Sequence, residues 1–187
     1  VSNYKGVVIA SNAAMRQSGR RFAAATGLLA ALAMTVGEGN HFMKFGVFYE
    51  HQLPRPWTAT SERDLLAQSL DQFQFADELG YDYAWVVEHH FLEEYSHSSA
   101  PEVFLGAASQ RTKNIRLGHG VIQLTTNQPQ RVAEKVATLD LLSGGRVDLG
   151  MGEAAGPAEL HPFGVRVRDK RDRWGRSGAR HHSDVHP

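Results

Sequence analysis

The chain contains no cysteine. That excludes disulfides, thiolate zinc sites, iron–sulfur clusters and a cysteine nucleophile. It fits a reducing cytoplasm, which is the expected compartment. Net charge is missing too, with 20 Lys+Arg against 20 Asp+Glu. A dedicated nucleic-acid binder should be clearly basic, so no nucleic-acid partner is expected. The chain also lacks an apolar run suited to a bilayer: the Ala/Leu-rich stretch Phe22–Val36 is too short to span one comfortably, and no membrane association is expected. What remains is an ordinary globular composition. At 42% hydrophobic residues, wholesale disorder is excluded, and 187 residues suit one domain or little more.

The zero net charge hides an asymmetry. Val165 to Pro187 holds seven Arg/Lys and three Asp, which leaves a mildly acidic body of net −4 carrying a basic tail. After Trp174 the tail shows no apolar periodicity, so residues 172–187 are expected to be disordered. His181, His182, Asp184 and His186 offer metal donors there, but nothing holds them rigid. At the other end, residues 1–42 read as a non-core extension. Arg16, Arg20 and Arg21 precede the short apolar stretch, as in a signal peptide. Three readings compete: a targeting peptide from Met15, an amphipathic helix, or a piece that is not native coding sequence. The last is preferred, because Met43 opens a pattern typical of a protein N-terminus, with a strand starting at once.

Between these ends the pattern is regular. Lys44–Tyr49 is strand-like. Thr60/Ser61 then caps a helix with Leu66, Leu70, Phe73 and Leu79 at helical spacing, stopped by Gly80. Tyr83–Glu88 is the second strand. Ser99-Ala-Pro-Glu102 reads as a capping box opening a helix to about Arg111. Ile115–Leu124 is the third strand. Val132, Val136, Leu139 and Leu142 form a third helical stripe, ended by Gly144-Gly145, and Arg146–Met151 is the fourth strand. The βαβ repeat of about 30–40 residues predicts parallel strands with right-handed crossovers. Two architectures satisfy it, an open doubly wound sheet and a (β/α)8 barrel, of which the chain has room for half.

In both, ligands bind beyond the carboxyl ends of the strands. Glu88-His89-His90-Phe91 falls there. Adjacent strand residues point to opposite faces, so His89 and His90 are expected to have different targets. Their i, i+1 spacing argues against a metal site, although His119 on the third strand is a conceivable third ligand. Gly118-His-Gly120-Val121-Ile122-Gln123-Leu124 is a second feature, since glycines within a strand admit a flat ligand or another backbone. A third is Gly150-Met-Gly152-Glu153-Ala-Ala155, which follows a strand in the pattern of a dinucleotide fingerprint, with Asp172 downstream. It sits on the fourth strand instead of the first, and Gly156-Pro157 interrupts the helix it should open.

Taken in order, these pieces resemble the N-terminal half of a bacterial luciferase-like flavin monooxygenase, over about residues 43–171. The residues that carry the resemblance are Met43–Phe48, Glu78–Phe91 with its Glu-His-His-Phe block, Leu117–Leu124, Pro129, the run from Ala133 to Arg146, and His161–Gly164. The resemblance implies an α/β fold, an incomplete TIM (β/α)8 barrel of about four βα units with parallel strands. It implies FMN as cofactor, used in reduced form. The reduced flavin captures dioxygen as a hydroperoxide that oxidises a small organic substrate such as an aldehyde. A flavin reductase would supply the reduced flavin, and the intact family pairs as dimers. By the same resemblance His89 is the catalytic acid/base, and Glu88, Gly120, Val121 and Gly152 contact the cofactor. Gly120–Val121 matches a position where family members carry a non-proline cis peptide. No metal is implied.

One departure stands out. Glu153 occupies the place of an arginine that the luciferase uses for the flavin phosphate. A deazaflavin-dependent oxidoreductase of the same barrel, a non-catalytic flavin-binding protein and a metal-dependent hydrolase are the alternative readings. As a truncated form with open edges at Lys44–Tyr49 and Arg146–Met151, the chain is expected to self-associate, to bind FMN weakly and to lack turnover.

Overall fold

A computed structural model describes residues 7–9, 43–154 and 156–175. The expectations for the rest of residues 1–42 and for 176–187 lie outside the described residues. Five strands form one parallel sheet in sequential order: β1 (Val7–Ile9), β2 (Lys44–Tyr49), β3 (Tyr83–Val86), β4 (Arg116–Gln123) and β5 (Val147–Gly152). Between them run α1 (Ser61–Glu78), α2 (Pro101–Arg111) and α3 (Pro129–Ser143), followed by the short α4 (Pro157–Leu160). The alternation of helices with parallel strands β2 to β5 is the one the repeat predicted, and it fits the incomplete α/β barrel that the resemblance implies. No helix among the described residues is long and apolar enough to cross a membrane.

The first open edge differs from expectation. Val7–Ile9 pairs in parallel with Lys44–Gly46 of β2, so that edge has a neighbour over three residues. Strand β3 also ends earlier than predicted, at Val86, which leaves Glu88 to Phe91 in the loop beyond it. The predicted capping box does not form. Ala100 is the N-cap of α2, and Pro101 begins the helix with no side-chain cap bond. Proline needs no amide partner in the first turn, so the helix starts there without Ser99. At α1 the expected start holds, but the polar cap is built differently, with the Thr58 amide donating to Ser61 Oγ at 2.8 Å.

The core lies between the sheet and the helices. Val47 and Tyr49 of β2, Ala84 and Val86 of β3, and Leu117 of β4 alternate outward and meet Phe73, Ala76, Phe104, Leu105, Ala108 and Leu139 from the helices. Of the predicted stripe in α1, Phe73 is fully buried, while Leu66 and Leu70 are partly buried and Leu79 is exposed. Leu65 and Ala76 are the further apolar residues that turn inward. In α3, Val132 and Leu139 are buried and Leu142 is exposed.

Two charged residues stitch the amino-terminal end of the sheet. The Asp77 carboxylate accepts from the backbone amides of Lys113, Asn114 and Ile115 at 2.6–2.9 Å, fixing the entry into β4. Burial opposes its charge, but those three bonds prevail and hold its pKa below the usual range. Arg146, just past the Gly144-Gly145 stop, spreads its guanidinium over the carbonyls of Ser109, Thr112, Ile115 and Ser143. The other face of the sheet carries Phe48, Trp85 and Gly118 in one row across β2, β3 and β4. A Cβ at Gly118 would lie 2.2–2.5 Å from the Trp85 ring, so only glycine leaves that indole its place.

Candidate functional site

The carboxyl ends of β2 to β5 bring four loops together. Glu50 follows β2 directly, the Glu88–Phe91 block follows β3, Gln123 ends β4 with Asn127 just beyond, and β5 leads into α4 with Glu159. The loop after β3 is tied down locally. The His89 amide donates to the Ser98 carbonyl at 2.9 Å, and Ser98 Oγ donates to the Val87 carbonyl at 2.7 Å. Phe91 turns the chain with φ 60°, a left-handed conformation uncommon for a non-glycine residue.

His89 stands between two carboxyl groups. Its Nδ1 is 2.8 Å from Glu159 Oε1, and its Nε2 is 3.5 Å from Glu50 Oε2. The Tyr95 ring packs edge-on against it. Glu159 is 1% exposed, and the same Oε1 also accepts from Gln123 Nε2 at 2.8 Å and from the His90 amide at 3.3 Å. Burial by itself would raise the Glu159 pKa, but the bonds from His89 and Gln123 outweigh it and hold the carboxyl below its ordinary value. Glu50 shifts the other way: burial pushes it up, with the negative charge of Glu159 adding to the effect against the pull of His89. Two carboxyls driven apart on either side of one imidazole can divide the roles of proton holder and charge holder.

His90 takes a separate target, as the face argument anticipated, although both histidines lie on a loop and not on the strand. Its Nε2 is 2.8 Å from Glu88 Oε1, and its ring meets Phe163 edge-on. The Glu88 carboxylate is fully engaged. It also accepts from Asn127 Nδ2 at 2.8 Å and from the Gln123 amide at 2.9 Å. Glu88 therefore knits the β3 and β4 ends together. The Gln123 side-chain amide donates both to the Glu88 carbonyl and to Glu159, which fixes which way it points.

Gly120 and Val121 lie on the last part of β4, half-buried, and the peptide between them is cis. The β4–β5 register shifts between His119 and Ile122, so this stretch is offset from the regular ladder. Gly152 lies opposite Gln123, and a Cβ there would sit 2.6 Å from Val121 Cγ2. His119 is not part of the site. It pairs with Val86 and Leu149 on the helix-facing side and is fully buried, so it cannot join His89 and His90 around a metal. Glu153, the departure noted above, pairs with Lys170 at 3.3 Å, and Lys170 Nζ also donates to the Ala154 carbonyl. The fingerprint's Asp172 is exposed, and Ala155 lies outside the described residues.

Glu50, Asn127 and Glu159 were not singled out in the sequence, and Gln123 lay within the Gly118–Leu124 feature without a role of its own. Glu50 was within reach of the strand-end rule, since it directly follows β2. Glu159 had no local signal: it comes 70 residues after His89, on a four-residue helix.

Known proteins share this sequence pattern and this fold. The chain is 39% identical over 138 residues to 4-hydroxyprotoasukamycin monooxygenase of Streptomyces nodosus subsp. asukaensis, covering 72% of this chain and 35% of that one. The chain thus spans about a third of the length of that relative. Monooxygenase RslO1 from Streptomyces bottropensis superposes with a TM-score of 0.66 at 34% identity, over 73% of this chain and 41% of that chain. The oxygenating constituent of 3,6-diketocamphane monooxygenase from Pseudomonas putida, in complex with FMN, has the same TM-score of 0.66 at 24% identity, over 73% of this chain and 37% of its own, and shares the fold. The family described as luciferase-like monooxygenase matches residues 43–178, most of the chain, and the chain belongs to that family.

Proposed function

We propose that this chain carries the proton-handling and flavin-facing part of an FMN-dependent monooxygenase that oxidises a small organic substrate such as an aldehyde. One observation carries the reading. His89, held between Glu50 and Glu159, stands at the strand ends that also bear the half-buried Gly120–Val121 edge. The residues fit a flat ring. Gly120 and Gly152 present no side chain, and a Cβ at Gly120 would already press on Phe48 at 3.2 Å. Reduced FMN, supplied by a reductase, brings the electrons and the reaction with dioxygen. The protein orients the ring and substrate and keeps water away. His89 gives or takes a proton at Nε2, its ring atom not held by Glu159. Glu88 acts at one remove, by holding His90, Asn127 and the end of β4 in place. Glu153 and Lys170 neutralise one another, so the flavin phosphate must be met by other groups. A cytoplasmic location and pairing of two copies go with this reading.

Anaerobic titration with reduced FMN and with a deazaflavin tests it. Weak FMN binding is expected, lowered further by Gly152→Val and left largely intact by His89→Ala. Preference for the deazaflavin would replace FMN by the alternative cofactor. Binding of neither would sink the proposal.

A further inference from the structure

We propose that Glu159 is the positioning residue that sets the tautomer of His89, locking the proton on Nδ1 and leaving Nε2 as the atom that works. The inference rests on His89 being the proton-handling residue, but not on any flavin being bound.

Glu159 Oε1 is a convergence point. Three donors reach it: His89 Nδ1, Gln123 Nε2 and the His90 backbone amide. Two of these, the Gln123 amide and the backbone N–H, can only donate. A single oxygen already receiving two such bonds, on a carboxyl held ionised by them, accepts again and does not donate. The hydrogen of His89 in its neutral state therefore belongs on Nδ1. Free imidazole side chains favour the opposite tautomer in water, so the environment must impose this one. The other ring atom, Nε2, keeps its lone pair and faces Glu50 Oε2 at 3.5 Å, too far for a strong bond. A proton can then enter or leave His89 only at Nε2, on the Glu50 side.

The arrangement explains why Glu159 is buried at all. A carboxylate at 1% exposure carries a desolvation cost, which its three donors offset. Its backbone also places it well: α4 is too short to be a core helix, and it sets Glu159 against the β3 loop. Gln123 completes the device, because it ties Glu159 and the Glu88 carbonyl together through one amide.

The test uses the chain itself, labelled with 15N-histidine, and reads ring protonation by long-range 1H–15N correlation at alkaline pH, where imidazole is neutral. A His89→Gln spectrum assigns the signals. The wild-type ring should be the Nδ1–H tautomer. Glu159→Gln should retain it, since the amide oxygen stays pinned by Gln123 and the His90 amide. Glu159→Leu, similar in size but unable to accept, should reverse the majority to Nε2–H. A wild-type ring protonated on Nε2 would overturn the proposal, as would a folded Glu159→Leu that remains Nδ1–H. Should Glu159→Leu not fold, the wild-type spectrum decides alone. Because no flavin is added, failure here is separable from failure of the monooxygenase reading, which shows in the cofactor titration.

Discussion

His119 should make this protein acid-sensitive in a way that one substitution can isolate. The imidazole is fully buried on the helix-facing side of β4, and neither ring nitrogen finds a hydrogen-bond partner among the described residues. Burial pushes its pKa down to about 4; Glu102 and Glu88 pull it up and Lys135 pushes it down, without restoring it. In the unfolded chain the same group should titrate near 6.5. The folded value lies below the unfolded one, so the sign follows directly. Above pH 6.5 both states are neutral and the group has no effect on stability. As pH falls below 6.5, the unfolded chain binds a proton that the folded chain refuses, and stability drops until the folded value near 4 is reached. Each pH unit in that window costs about 1.4 kcal/mol, so lowering the pH from 7.5 to 5 removes about 2 kcal/mol through His119. For a domain of this size that is about 4–8 °C of thermal midpoint.

Other groups titrate too, His51 among them, with burial taking its pKa down to about 4 as well. Comparison with His119→Leu cancels them. At pH 7.5 the variant should be as stable as wild type or more so, because two unpartnered buried polar atoms are gone. Its advantage should then grow by about 2 kcal/mol at pH 5, read by urea unfolding followed by circular dichroism. If wild type and variant lose stability in parallel between pH 7.5 and 5, His119 is not a buried neutral imidazole, and its placement on the helix side of β4 is wrong.

Gly118→Ala should destabilise by about 1–3 kcal/mol through overpacking against the Trp85 ring, with a shift in tryptophan emission; an unchanged midpoint and spectrum would mean that the indole is free to move aside. Asp77→Ala should cost about 2–3 kcal/mol in urea, because the amides of Lys113, Asn114 and Ile115 lose their shared acceptor, whereas Asp77→Asn, which keeps one acceptor oxygen, should cost less.

Much of the fold was legible in the sequence because it depends on local signals. The apolar periodicity changes from two to 3.6 and back with each βα step, and Pro101, Pro129 and Gly144 punctuate the helices where the structure begins or ends them. Lys44–Tyr49 forms a strand with the predicted bounds. The stripes were less reliable at their ends: Leu79 and Leu142 sit at helical spacing yet are exposed, since a helix's last turn can run past the edge of the surface it covers. The second strand was read two residues too long, because Val87 extends the apolar run and its amide still donates to the Tyr49 carbonyl at 3.2 Å, although the ladder itself ends at Val86.

By itself the sequence determined the order of elements, the parallel repeat and the strand-end position of Glu88, His89 and His90, all of which follow from chemistry within a few residues. Tertiary structure decided which groups those residues meet. Glu159 reaches His89 across 70 positions and Gln123 reaches Glu88 across 35, and no periodicity encodes either pair. It also decided that His119 faces the helices while Gly120 and Val121 sit half-buried at the strand end, since the register shift between His119 and Ile122 breaks the alternation that sequence spacing assumes. The pairing of Val7–Ile9 with β2 belongs to the same class. An unpaired strand edge is satisfied by whatever backbone the rest of the chain can bring to it.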